Sequence, residues 1–331
     1  MGWSGHSILE QILNFHKIIL SNIFLYPGQG SQSIGMGRDL FEKYPLARAR
    51  YALASEILGF DLGEICFNGA ESDLKQTRVT QPALYVHSCI LTELLDEQGL
   101  TPQAAAGHSL GEYSALQAAG VFSFEDGLRL VKLRADAMQE AGEINPGTMA
   151  AVIGLDDAGI RKLCDVVSEI GIVVPANINS PGQIVVSGDV AAIEKVVQVA
   201  KSMGARMAKQ LPVSGAFHSP LMQPAADKLA DALSSIEIRE PAFPVMSNVT
   251  ATAHGRPDEI RNLLATQLLA PVRWAECMIE LARVENPVWY EVGNGSVLAG
   301  LLKRTVEGAT ATAMDGAESL QRNQHPTGAT L

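Results

Sequence analysis

The first clear hydrophobic run, 23–26 (Ile-Phe-Leu-Tyr), stops at Pro27 and Gly28 and predicts a buried strand emptying into a loop. Apolar residues at helical spacing follow over 40–58 and 84–98. The small residues 104–106 predict a central strand entering Gly107, and 112–119 and 124–141 are rich in helix formers. At Asn145-Pro146-Gly147 the texture changes. Strand patterns at 149–154, 171–179, 183–187 and 205–211 then alternate with helical ones at 156–169 and 190–203.

That order, strand-helix-strand-strand-helix-strand, predicts a ferredoxin-like unit of about 65 residues set into a larger α/β chain. The expected organisation is an N-terminal extension at 1–22, a catalytic domain at 23–144 and 213–320, the insertion at 145–212, and a frayed polar tail at 321–331. In the extension, Ile8, Leu9, Ile12, Leu13 and Ile19 form a rough helical stripe. Glu10, Gln11, Asn14, His16 and Lys17 interrupt it, and no basic segment precedes it. It therefore predicts an extra helix or an upstream start, not a secretion signal or a membrane span.

The chain has 331 residues, 47% hydrophobic and 18% charged, which is ample material for a large core. A formal charge of -11 makes nucleic acid and anionic membrane poor partners. Cys66, Cys89, Cys164 and Cys277 form no CxxC pair, which argues against a thiolate metal site and fits buried thiols in the cytoplasm.

Candidate chemistry begins at Gly107-His108-Ser109-Leu110-Gly111, a G-x-S-x-G match between a strand and a helix. Glycines on both sides allow a sharp turn, the Ser109 hydroxyl meets the positive end of the next helix, and the Leu110 N–H faces a developing oxyanion. The alternative is a turn whose serine caps the helix. A serine nucleophile needs a base. Of seven histidines, His6, His16 and His325 are near the termini, His254 is in a polar turn, His87 is in an apolar helix, and His108 adjoins the serine. His218, in a loop between predicted elements, is the candidate, and no acid stands out to orient it. Gln29, in Pro27-Gly28-Gln29-Gly30, lies on a loop able to aim N–H groups at an oxyanion, or in an ordinary Gly-rich turn. Arg134 reads either as a surface ion pair with Asp136 or Glu140, or as a buried fork for a substrate carboxylate.

Taken in order, PGQGSQ, QPALY (81–85), GHSLGEYSAL (107–116), LVKLRADAM, PANINSPGQIVVSG (175–188) and LPVSGAFHSPLM resemble the malonyl-CoA:acyl-carrier-protein transacylases of fatty-acid synthesis and the acyltransferase domains of polyketide synthases. The resemblance covers about residues 23–320. It implies an α/β-hydrolase-like large domain with a ferredoxin-like insertion, and transfer of malonyl from malonyl-CoA to the phosphopantetheine thiol of acyl carrier protein, without metal or prosthetic group. Residue by residue it implies Ser109 as nucleophile, His218 as base, Gln29 and Leu110 N–H as oxyanion hole, and Arg134 as carboxylate clamp. Gln267 would orient the histidine through its backbone carbonyl, and Asn177 would line the site. In Gly215-Ala216-Phe217-His218, similar to the HAFH of malonyl-selecting members with glycine in first place, Phe217 would crowd a branched acyl group. Asn294 stands where many members have proline. An acidic carrier calls for a basic docking face, with Lys132, Lys201, Arg206 and Lys209 as candidates. The competing functions are a serine esterase or thioesterase, a non-catalytic carrier-docking protein, and a stand-alone acyltransferase of a polyketide pathway.

Overall fold

The computed structural model describes residues 20–324, so the helical stripe expected at 7–19, His6, His16, His325 and the end of the tail lie outside the described residues. Among the described residues nine strands form two sheets: β1 (Ser21–Tyr26), β2 (Ala104–Gly107), β3 (Gly147–Ile153), β4 (Val173–Ser180), β5 (Gln183–Asp189), β6 (Met207–Gln210), β7 (Val245–Met246), β8 (Pro287–Val292) and β9 (Ala311–Met314). The larger sheet has the order β7-β2-β1-β8-β9, with every pairing parallel. The smaller is antiparallel, β4-β5-β3-β6.

Alternation along the parallel strands explains why they read as continuous apolar runs. Phe24, Tyr26 and Ala105 enter one hydrophobic cluster, while Ile23, Leu25, Ala104 and Ala106 enter the cluster on the opposite face. Both faces are covered by helices, so the central positions of β1 and β2 are apolar, and the buried Glu291 of β8 is met by the Leu298 and Ala299 N–H groups at the start of a helix. The small sheet divides its faces differently. Ala150, Val152, Ile184 and Val186 pack under its own two helices, whereas Met149, Ala176 and Val185 join the core of the larger unit. One face of the antiparallel sheet is thereby laid against the rest of the molecule.

Four expectations need correction. β1 starts at Ser21, so Ser21 and Asn22 belong to the sheet and not to an extension. The helix expected at 84–98 begins at Thr77 and carries Pro82 in its second turn. At the other end, Ala317–Gln324 is helical, so the first four residues of the expected tail continue an ordered element. The run at 40–58 also divides, into Arg38–Lys43 and Pro45–Leu58, because Tyr44 is extended ahead of Pro45.

Candidate active site

The carboxyl ends of β1 and β2 lie side by side, and the chain leaves both through glycine-rich turns. After β2 it bends directly into the helix Gly111–Ala118. A Cβ on Gly107 would sit 1.8 Å from the Gly111 carbonyl carbon, and one on Gly111 would sit 2.1 Å from Tyr26 O. No side chain fits at either place. Between them Ser109 is held at φ 53°, a left-handed conformation that costs roughly 1–3 kcal/mol for a residue other than glycine. Asn248, just past β7, secures that bend from both sides. Its Oδ1 accepts the Ser109 N–H at 2.7 Å, and its Nδ2 donates to Gly107 O at 2.8 Å.

The Ser109 hydroxyl faces His218 Nε2 at 2.8 Å. On the other ring nitrogen, Nδ1–H donates to the backbone carbonyl of Gln267 at 2.8 Å, which leaves Nε2 free to accept the serine proton. His218 is buried, and burial, followed by the positive charge of Arg134, pushes it down to about 3, so it is neutral at physiological pH. The backbone N–H groups of Leu110 and Gln29 have no hydrogen-bond partner among the described residues. The Gln29 side chain is directed instead to Thr77 Oγ1, 3.5 Å away.

Arg134, near the middle of the helix Phe124–Ile144, is 1% exposed. The surface ion-pair alternative is excluded, since Asp136 pairs with Lys132 and Glu140 with Lys228. Nη1 donates to Gln81 Oε1 at 2.6 Å, and Nη2 donates to both Ser109 Oγ and Gln267 Oε1 at 3.0 Å. The guanidinium also lies over the Tyr113 ring, 5.4 Å from its centroid. Burial holds it below the ordinary arginine range, with Tyr113 and Glu112 acting in the opposite direction. Its Nε is buried and without a partner among the described residues. A cavity of about 110 Å³ opens beside these groups, walled by Met138, Met149, Asn177, Leu211, Val213 and Phe217.

All eight residues singled out in the sequence therefore converge: Ser109, His218, Gln29, Leu110, Arg134, Asn177 and Phe217 on the cavity, and Gln267 directly behind it. Gly215 has a steric basis, because a Cβ there would lie 3.1 Å from the Phe217 ring. Asn294 is also used: its amide donates to Ser31 O at 2.6 Å and Ser33 Oγ at 3.0 Å, bracing the loop that carries Gln29. Sequence reasoning missed Gln81, Asn248 and Glu112, although Gln81 and Glu112 stand inside quoted motifs. It also placed His254 in a polar turn. That side chain is fully buried, its Nε2 2.7 Å from Glu112 Oε1.

Known proteins share this arrangement of sequence and fold. The acyl transferase domain family matches residues 23–329. The malonyl CoA-acyl carrier protein transacylase of Escherichia coli K12 is 45% identical over 293 residues, which span 88% of this chain and 95% of that protein. The solved transacylase of the same name from Coxiella burnetii superposes with a TM-score of 0.89 at 38% identity, covering 92% of this chain and 97% of the other. A malonyl-transacylase solved in complex with its type II polyketide synthase acyl-carrier protein gives a TM-score of 0.89 at 41% identity, over 92% and 99% of the two chains. A chain matched over almost its whole length in this way belongs to the acyl transferase domain family, alongside the malonyl CoA-acyl carrier protein transacylases.

Proposed function

We propose that this enzyme moves malonyl from malonyl-CoA to the phosphopantetheine thiol of acyl carrier protein in fatty-acid synthesis, through a malonyl ester on Ser109. The observation that carries this reading is the contact of Arg134 with the nucleophile itself. The Ser109 oxygen gives its proton to His218 and accepts a hydrogen bond from Arg134 Nη2, so the guanidinium supports the oxygen as it becomes negative. Attack on the thioester places the carbonyl oxygen at the N–H groups of Leu110 and Gln29. The proton on His218 then passes to the sulfur of the departing coenzyme A. Once acylated, the Ser109 oxygen is a poor acceptor, and the Nη2 proton that it held is released just as a malonyl carboxylate arrives. The carrier thiol repeats the sequence in reverse: its proton goes to His218, its sulfur takes the malonyl, and Ser109 recovers its hydroxyl. Neither a metal nor a prosthetic group enters any step as written.

An esterase of neutral acyl chains has no use for a buried cation against its serine, and an acetyl group leaves the fork unanswered. Phe217 supports discrimination against a branch on the acyl α-carbon. For the carrier, Lys209 supports a docking route: it is exposed on β6, two residues from the cavity-lining Leu211, and it has no ion pair among the described residues. Lys201 and Arg206 are likewise exposed and unpaired among the described residues, whereas Lys132 is committed to Asp136. We further read the architecture as an α/β-hydrolase-like domain (23–144 and 213–320) interrupted by a ferredoxin-like insertion (145–212), which the second-third-first-fourth strand order of the small sheet supports. A cytoplasmic location fits a coenzyme A thioester substrate and four buried free thiols.

The test is transfer of radiolabelled malonyl to carrier by the parent, Ser109→Ala and Arg134→Ala proteins, with mass spectrometry of the intermediate. The expected outcome is a malonyl adduct on Ser109 in the parent and none in Ser109→Ala. Arg134→Ala should lose its preference for malonyl and gain acetyl loading. Release of malonate to water without transfer would support the thioesterase instead. The polyketide reading, favoured by the relative solved with such a carrier, predicts faster transfer to a polyketide carrier than to a fatty-acid one.

A further inference from the structure

Beneath the nucleophile lies a carboxylate that the transfer steps do not use. Glu112, in the first turn of the helix Gly111–Ala118, is fully buried and accepts three N–H groups: His254 Nε2 at 2.7 Å, Asn248 N at 3.0 Å and Gln267 Nε2 at 2.7 Å. His254 Nδ1 is buried without a partner among the described residues. His254 therefore meets Glu112 through Nε2 alone. Glu112 is thus met by three N–H donors, none of them from a lysine or arginine.

The cation on the far side of the network is Arg134. One amide joins the two: Gln267 gives Nε2–H to Glu112 and takes the Arg134 proton on Oε1. Two hydrogen bonds and an amide put the charges within about 8 Å of each other. Among the described residues Arg134 has no direct ion pair. A buried guanidinium with no counter-charge is costly, yet a carboxylate pressed against it would occupy the fork. A fully uncompensated fork would also grip a malonyl carboxylate too hard for a group that must leave on the carrier thiol.

We propose that Glu112 is a positioning residue that acts through Gln267 as the remote counter-charge of Arg134 and sets how tightly the fork holds an acyl carboxylate. The proposal rests on the reading of Arg134 as the malonyl clamp. Glu112→Gln keeps the shape and removes the charge. Its ratio of malonyl-CoA to acetyl-CoA kcat/KM should rise about tenfold, by Coulomb attraction no longer opposed across the pocket. KM for malonyl-CoA should fall, and malonyl-Ser109 should persist longer against the carrier thiol. A merely structural glutamate would lower both thioesters together, and an unchanged or reduced ratio overturns the proposal. If Glu112→Gln does not fold, Glu112→Asp and Glu112→Asn form a second pair that differ in charge at equal size. The Asn variant should show the higher ratio, and equal ratios count against the idea. Arg134→Ala, run alongside, separates the two readings. If it leaves the ratio untouched, the clamp falls and the counter-charge with it; if it abolishes the preference while Glu112→Gln changes nothing, the counter-charge alone is wrong.

Discussion

The two sheets meet at one cavity and contribute opposite things to it. At the carboxyl end of the parallel sheet the polar groups are buried, strained and multiply hydrogen-bonded: Ser109 at φ 53° after β2, Asn248 past β7, and His218 at φ 58° and Gln267, which reach in from a loop and a helix end. From the antiparallel sheet comes one face that is mostly shape, with Met149 on β3, Asn177 on β4 and Leu211 past β6. In the first region each atom answers to two or three others, so small displacements spread. In the second, side chains fill space and are answerable mainly for size. The lesson is that reactivity and selectivity for acyl shape are separable here, because different side chains carry them even where, as at Phe217 and His218, they are neighbours in one loop.

Acid should break the polar region outright. His218 is pushed down to about 3 and His87 to about 4, both from an ordinary value of 6.5 and both chiefly by burial. Neutral in the fold, they gain protons readily only on unfolding, so their contribution to stability is complete above pH 6.5 and is lost as pH falls toward 3. Activity and tryptophan fluorescence, followed on one set of samples, should therefore fail together within that window. A reversible loss of activity near pH 6.5 in a still-folded enzyme would contradict it. Next in size is Asn248→Ala, which unfastens the elbow without touching a reacting atom. We expect kcat to drop roughly 100-fold with little change in KM, and stability to fall by about 2–3 kcal/mol in urea titration. Equal kcat would mean that the bend holds itself. The smallest change comes from the cavity wall. Phe217→Ala should raise methylmalonyl loading about tenfold relative to malonyl, measured by competition between the two thioesters, with malonyl turnover little altered. If malonyl turnover collapses instead, the wall is not separable from the chemistry.

The same contrast decides what could be read in advance. Strand β1, strand β2 and the alternating elements of the small sheet carry local patterns, and so does G-x-S-x-G; each was legible from neighbouring residues. Ser109 and His218 followed from that motif and from elimination among the histidines, and Gln267 from resemblance. Asn248 and Glu112 were not legible. They lie 136 positions apart and meet only because β7 pairs with β2, and a lone asparagine in a loop has no periodicity to betray it. His254 failed for a related reason, as flanking Gly255 signals a turn while burial depends on the helix opposite. Pro82 hid the true start of its helix, since a proline in a second turn reads locally as a stop. Even the alternatives for Arg134 could be separated only by showing that Asp136 and Glu140 were already engaged elsewhere.

Four cysteines are free and buried, and burial pushes Cys66 up to about 12 and Cys164 to about 11, with Cys89 and Cys277 higher than their ordinary range as well. A catalyst that receives its cargo from one thiol and delivers it to another has thus kept its own sulfur protonated and out of reach. Neither coenzyme A nor the pantetheine arm finds a thiolate on this protein to exchange with, so mixed disulfides and stray S-acylation are avoided by placement alone.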